Sequence, residues 1–320
     1  MKIHIISTVN GMTNEGMRNV ATHISKGFEG KHQVVHSSLR SYCSLIKNSL
    51  WADTTLVFAR GNTQVYWLMR AVELFCRNTW LVCVQKPMDG FMNLNHKRPL
   101  KCGYFSLTAA DVRDVALVPG RQINLFHAGI NAEKFAPADP ETRRNLKVKY
   151  GFDPDKAVVV HVGHCSSGRG LEAFLALDPQ KYQRLVVASG MFEDPNTASA
   201  LEAGGVQIHR GYLEHVEEIY QLADVYLFPT RSNEFVISIP LSVMEALACG
   251  TPVVGYRTFE NFHEIRAAEG ALALVDSEAQ LPAAVADAAK KKQSQSLLQS
   301  TQTWDEIADE MIEKVRSTLS

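Results

Sequence analysis

Glu245 stands inside an apolar run, Leu241-Ser242-Val243-Met244-Glu245-Ala246-Leu247-Ala248, whose spacing is that of a buried helix. A carboxylate removed from water is costly unless donors meet it. A local cap or ion pair is the plain solution. The chemical alternative is a ligand with two adjacent hydroxyls, because one carboxylate can accept both hydrogen bonds of a vicinal diol such as a ribose. A second group lies upstream in Val162-Gly163-His164-Cys165-Ser166-Ser167-Gly168-Arg169-Gly170-Leu171. It reads as a strand end, a small-residue loop and then an amphipathic helix through Phe174 and Leu175. A diphosphate needs cationic donors and backbone N–H groups at such a loop. Arg169 supplies a charged fork. His164 titrates near neutrality and adds charge only in part. A surface arginine and an ordinary loop histidine are the competing readings.

Weaker signals surround these two. The loop Thr8 to Gly16 carries Gly11 and Gly16 between a strand and a helix, an arrangement that aims backbone N–H groups at an anion. Turn geometry alone also explains such glycines. Glu234 closes a polar loop with Arg231, Ser232 and Asn233, which reads equally as an ordinary hydrophilic connection. From Ser238 through Pro240 to Leu241, the helix start offers backbone N–H groups to phosphate or sugar hydroxyls. No residue is nominated as a covalent nucleophile. Cys43, Cys76, Cys83, Cys102, Cys165 and Cys249 form no CxxC and no metal-ligand spacing, so they read as small core hydrophobes in a reducing compartment.

The elements that must hold these groups alternate between strand and helix. Val225–Phe228, closed by Pro229, and Val253–Tyr256 are short β-rich apolar runs of the kind buried on both faces of a parallel sheet. Gly250 and Pro252 end the helix between them. Further strands are expected at 2–7, 33–36, 55–59, 80–84 and 103–108, then at 157–162, 184–188, 206–209 and 271–275. This alternation predicts α/β architecture with doubly wound parallel sheets, which bind ligands beyond the carboxyl ends of their strands. Pro137, Asp139 and Pro140 punctuate a linker, so the expected domains are 1–138 and 139–303. The segment 304–320 puts Trp304, Ile307, Met311, Ile312 and Val315 on one helical face.

A chain of 320 residues is natural for two domains. Hydrophobic content of 46% and charged content of 21% are those of a soluble globular protein, and a net charge of −1 gives no global attraction to nucleic acid or anionic lipid. Met1 to Ser7 reads as a strand rather than a signal peptide, and no stretch approaches a membrane span. A cytoplasmic location is expected, with His96-Lys97-Arg98, Lys101, Phe91 and Met92 as a possible peripheral contact with the inner face of a membrane.

The stretch from Ala223 to Arg257, with its proline-threonine loop, glutamate-bearing helix and Ala248-Cys249-Gly250-Thr251-Pro252-Val253-Val254 ending, resembles the signature of retaining GT-B glycosyltransferases of family 4. Gly211-Tyr212 with Glu217, Tyr220, Ala223 and Asp224, and Asn124 to Pro137, are similar to two further family segments. The resemblance covers almost all of the second domain and, more faintly, the first. It implies two facing Rossmann-like domains with a cleft between them that closes around substrate, an N-terminal acceptor domain, a C-terminal donor domain and a terminal helix crossing back. It also implies transfer of a sugar from a nucleotide diphosphate sugar to an acceptor hydroxyl on a glycan, a lipid-linked glycan or a small molecule, with retention and with neither metal nor cofactor. In that frame Glu245 holds the ribose, His164 and Arg169 meet the pyrophosphate, Gly11 and Gly16 lie beside the donor phosphates and the acceptor, and Ser238, Pro240 and Leu241 at the helix start complete the donor-binding set.

Two positions depart from the family. His164 replaces an arginine, and the first of two paired glutamates is replaced by Ile237. Glu234, three residues upstream of Ile237, would take over the sugar contact if the loop carries a three-residue insertion. These losses keep open a non-catalytic GT-B subunit that only binds sugar nucleotide. An epimerase or hydrolase on the same frame is a further rival, separable by analysing products formed from the nucleotide sugar alone.

Overall fold

The computed structural model describes residues 1–7, 16–38, 41–299 and 302–318. The chain divides into two compact units, Met1–Gly129 with Val236–Ile239 and Gln302–Ser320, and Ile130–Phe235 with Pro240–Thr301.

The first unit holds a six-stranded parallel sheet of order β2-β1-β3-β4-β5-β6. Its strands are β1 (Lys2–Ile6), β2 (Gln33–Ser37), β3 (Thr54–Phe58), β4 (Thr79–Cys83), β5 (Gly103–Ser106) and β6 (Ile123–Leu125). Helices α1 (Gly16–Phe28), α2 (Tyr42–Trp51), α3 (Thr63–Val72), α4 (Asp89–Lys97) and α5 (Ala109–Val112) connect them. Every residue of β3 and β4 is buried, as expected for central strands covered on both faces. The strand order reverses between β1 and β3, which opens a crevice at their carboxyl ends.

The second unit repeats the plan with order β12-β11-β10-β7-β8-β9. Its strands are β7 (Ala157–Cys165), β8 (Tyr182–Glu193), β9 (Gln207–Arg210), β10 (Val225–Phe228), β11 (Val253–Tyr256) and β12 (Leu272–Val275). Its helices are α6 (Pro140–Lys149), α7 (Pro195–Ala203), α8 (Val216–Leu222), α9 (Leu241–Ala248) and α10 (Leu281–Ala289). The reversal here falls between β7 and β10, so the loops after these two strands must face a common crevice. Asp224 ties the edge of this arrangement together. Its carboxylate accepts from the Val158 amide at 2.8 Å, Lys147 Nζ at 2.8 Å and Arg143 Nη2 at 2.7 Å.

The last helix, α11 (Trp304–Ser317), opens with a capping box of Thr303 and Glu306. Its buried face, from Trp304 to Val315, packs on α1 within the first unit, where the rings of Trp304 and His23 stack at 5.0 Å. Full burial of a large apolar side chain contributes roughly 1.5–3 kcal/mol, so this face alone accounts for the docking.

Three expectations change. The units part at Gly129/Ile130 rather than near 138, because Phe135 packs edge-on against Tyr220 at 6.0 Å and Gln221 donates to the Ala136 carbonyl at 2.9 Å. The helix expected after Arg169 is two short 3₁₀ turns, Ser167–Arg169 and Leu171–Ala176. Gly170 between them has φ +67°, a left-handed break that an α-helix cannot carry. Finally, Cys43 is exposed, whereas the other five cysteines are buried.

Candidate functional site

Glu245 lies on the second turn of α9, which Pro240 introduces as N-cap without a side-chain hydrogen bond. Its Oε2 accepts a hydrogen bond of 2.7 Å from the hydroxyl of Tyr220 on α8. Burial pushes the carboxyl up to about 7, against the opposing pull of the Tyr220 hydrogen bond and of Lys134. Lys134 is itself held by Glu217 Oε2 at 3.3 Å. Glu245 therefore carries a single tyrosine donor and an environment that would be relieved by further donors.

Arg169 ends the first 3₁₀ turn after β7. Burial holds its guanidinium down to about 10, and its Nε is buried with no hydrogen-bond partner among the described residues. Gly163 leaves room for the His161 imidazole beside the guanidinium. A Cβ there would lie 2.9 Å from His161 Nε2 and 3.7 Å from Arg169 Nη1. At Gly170 a Cβ would come within 2.8 Å of the Pro229 carbonyl, and Thr230 Oγ1 reaches the Arg169 carbonyl at 3.4 Å. The loops after β7 and β10 are thus locked together at the reversal point of the sheet.

Tyr226 on β10 links the two groups. Its hydroxyl donates to Ser242 Oγ at 2.8 Å, on the helix that carries Glu245, and lies 3.1 Å from the Val162 carbonyl, within β7, the strand before Arg169. Arg169 and Glu245 both act electrostatically on this phenol, the first lowering and the second raising its pKa. Tyr220 and Tyr226 stand 5.7 Å apart by ring centroid. A cation for a diphosphate and a carboxylate for a diol are held in one unit around a pair of buried tyrosines.

The remaining nominated residues divide. His164 is half-buried, and burial followed by the nearby Arg169 lowers it to about 4, so it is neutral at pH 7 and brings no charge. Gly16 begins α1 in the first unit, where a Cβ would lie 2.9 Å from Ile237 Cδ1. Ser238 is buried and its amide donates to the Val84 carbonyl at 2.8 Å, so that N–H is already spent and the sequence expectation for it is corrected. Gln85 also donates to the Val236 carbonyl, which fixes 236–239 to the first unit. Pro240 and Leu241 start α9, with Leu241 buried. Glu234 lies exposed in the 3₁₀ turn Asn233–Phe235. Gly11 falls outside the described residues. Arg231 stacks over the Tyr256 ring at 4.0 Å. Phe91 is wholly buried, so it is not available as the apolar part of a membrane contact at His96-Lys97-Arg98.

Sequence reading missed Tyr220, Tyr226, Ser242, Lys134 and His161. Two signals were present. Tyrosines in apolar elements need partners for their hydroxyls, and His161 alternates into a buried strand. His161 Nδ1 lies 3.0 Å from the Leu227 carbonyl, and burial lowers it to about 3. Among the described residues, no cluster of three or more His, Cys, Asp or Glu could hold a metal ion, and no helix is long and apolar enough to cross a membrane.

Residues 157–292 match the sequence profile described as "Glycosyl transferases group 1", and they contain Arg169, Tyr226 and Glu245. The chain is 28% identical over 158 residues to D-inositol 3-phosphate glycosyltransferase 2 of Catenulispora acidiphila, covering 43% of this chain and 35% of the relative. It is 30% identical over 149 residues to D-inositol 3-phosphate glycosyltransferase of Mycolicibacterium gilvum, covering 42% and 31%. It thus spans about a third of the length of these curated relatives. Whole-chain likeness comes from structures. Anabaena HepE in complex with UDP and glucose superposes with a TM-score of 0.79 over 99% of this chain and 100% of that one, at 12% identity. Sucrose-phosphate synthase from Thermosynechococcus elongatus gives 0.76 over 99% and 98%, at 15% identity. The two-unit α/β fold is that of GT-B proteins.

Proposed function

We propose that the chain is a retaining glycosyltransferase of family 4 that moves a sugar from a nucleotide diphosphate sugar to an acceptor hydroxyl. The observation that carries this reading is that the Tyr226 hydroxyl ties Ser242, on the helix of Glu245, to Val162, on the strand that leads to Arg169, at the reversal point of the second sheet. Glycosyl transfer to a hydroxyl must stabilise a departing diphosphate and an oxocarbenium-like centre. Arg169 is the group for the first need, because a half-buried guanidinium whose Nε has no partner among the described residues gains from an incoming anion. Glu245 accepts from the two ribose hydroxyls, which turns its costly burial into nucleoside recognition. No side chain is assigned as a covalent nucleophile, and no metal or cofactor is needed by this scheme. His164 is neutral and serves as a hydrogen-bonding neighbour rather than a second cation.

The test is incubation with UDP-, GDP- and ADP-linked sugars, with release of nucleoside diphosphate as the readout and the product's anomeric coupling constant as the check on retention. Diphosphate release from one base family supports the reading. Binding without release from any donor, with or without acceptors, overturns it in favour of a non-catalytic sugar-nucleotide-binding subunit. That second reading has its own observation. Ile237, at the place of the family's sugar-contacting glutamate, is buried against Gly16, and Glu234 is exposed.

A further inference from the structure

The first unit contains a cavity of about 1070 Å³ between α2 and α3, slightly above the range of about 300–1,000 Å³ usual for small-molecule sites. It opens where the first sheet reverses direction. Ser7 after β1, His36 and Ser37 at the end of β2 and Asn62 at the N-cap of α3 all line it. This end is polar. Among the described lining residues, Arg18, in the first turn of α1, is the only one with a formal charge and none is a carboxylate, while burial holds His36 below its ordinary value. Ser7 Oγ is buried there with no hydrogen-bond partner among the described residues.

Away from the strand ends the walls are mainly apolar, with Ser49 of α2 and Gln64 of α3 among them. Tyr42, Leu45 and Ile46 of α2 face Trp67 and Leu68 of α3, and Phe75 lies beyond. These walls run out onto the surface. Tyr42 is 74% and Trp67 58% exposed, and Tyr42, Ile46 and Leu50 continue one stripe along α2. Exposed apolar residues that line a cavity with a cationic end describe a ligand, not a random scatter of surface hydrophobics.

We propose that this cavity binds an anionic amphiphile, with a phosphate-type head at Ser7 and Arg18 and a hydrocarbon chain between Tyr42–Ile46 and Trp67–Leu68. The charge count chooses the head, and the length of apolar wall chooses the chain. The proposal deepens the transferase reading and rests on it only in naming this amphiphile as the acceptor. It then selects a lipid-linked phosphate over a free glycan or small soluble alcohol.

The probe is decyl phosphate below its critical micelle concentration, with binding followed by thermal shift and tryptophan fluorescence of the full chain. Affinity should fall by up to about fourfold for each methylene removed, from decyl to hexyl phosphate. Inorganic phosphate alone should give no shift. Ile46→Glu should weaken decyl phosphate at least about tenfold, and Arg18→Gln should weaken it about tenfold while leaving a neutral decyl glycoside unaffected. In Ile46→Glu the response to nucleoside diphosphates should be unchanged. Loss of the nucleotide response in the wild type would count against the transferase reading, not against this site. Equal binding of decyl phosphate by Ile46→Glu, or no dependence on chain length, overturns the proposal. So does sedimentation showing a wild-type dimer that Ile46→Glu splits, with no response to decyl phosphate. Retention on vesicles without saturable binding of the monomeric probe would also overturn it, in favour of a membrane-facing surface.

Discussion

The Tyr220 hydroxyl donates to Glu245 Oε2 at 2.7 Å, and this is the hydrogen bond that meets the carboxylate's buried charge. One donor does not offset burial, and the carboxyl is pushed up to about 7. The folded state therefore holds this proton more tightly than the unfolded chain does. Its stabilising contribution is complete below the ordinary carboxylate range and is lost as pH rises through about 7. Glu245→Gln should gain about 1–3 kcal/mol over the wild type at pH 8 and show no gain at pH 4. Thermal melts at the two pH values check this, and a gain that is equal at both contradicts the buried, protonated carboxyl.

A ligand that donates two hydroxyls to Glu245 favours the ionised form. Binding of a nucleoside diphosphate near pH 6.5 should therefore release protons from this site. Calorimetry in buffers of different ionisation enthalpy measures the release. Glu245→Gln should release fewer protons than the wild type, and an unchanged count would remove Glu245 from the binding step.

Arg169 is a half-buried cation whose Nε is buried and unsatisfied among the described residues, so it does little for the stability of the unliganded protein. Arg169→Met should leave the fold intact and the melting free energy unchanged or raised by about 1–2 kcal/mol. A loss of several kcal/mol would mean that the guanidinium is a structural strut rather than a group held for an anion.

Asp224 shows the contrasting case. It is fully engaged by Lys147, Arg143 and the Val158 amide. Asp224→Asn leaves the buried Lys147 ammonium without its counter-charge and should cost about 3–5 kcal/mol in chemical denaturation. A cost below about 1 kcal/mol would place this trio among surface ion pairs.

Gly16 and Ile237 touch within the first unit, and a methyl added at Gly16 meets the isoleucine at 2.9 Å. Gly16→Ala should lose about 1–3 kcal/mol by overpacking. Ile237→Ala in the same chain should recover part of that loss, giving a coupling of about 0.5–2 kcal/mol in a double-mutant cycle. Additive effects would show that the two side chains do not share this space.

The strands were legible because each is a short β-rich run bounded by turn residues, and Val225–Phe228 and Val253–Tyr256 fall at the bounds read from the sequence. Glu245 was legible as a charge misplaced in an apolar helix. The 3₁₀ turns around Gly170 were not, because a glycine within an amphipathic pattern does not announce a left-handed φ. Nor was the grouping of Val236–Ile239 with the first unit. That placement comes from backbone partners at Val84 and Gln85, far away in sequence, and apolar periodicity cannot reveal them. Tyr220 and Tyr226 were hidden for a related reason, since their hydroxyl partners lie on α9 and at the end of β7.

The central claim is that a guanidinium and a carboxylate of the second unit hold the diphosphate and the ribose of one nucleotide. Calorimetric titration of the wild type, Arg169→Ala and Glu245→Ala with UDP, GDP and pyrophosphate tests it most directly. The account predicts that the wild type prefers one nucleoside diphosphate to pyrophosphate, that Arg169→Ala binds neither, and that Glu245→Ala binds the two almost equally. Wild-type affinity for the nucleotide in Arg169→Ala would contradict it.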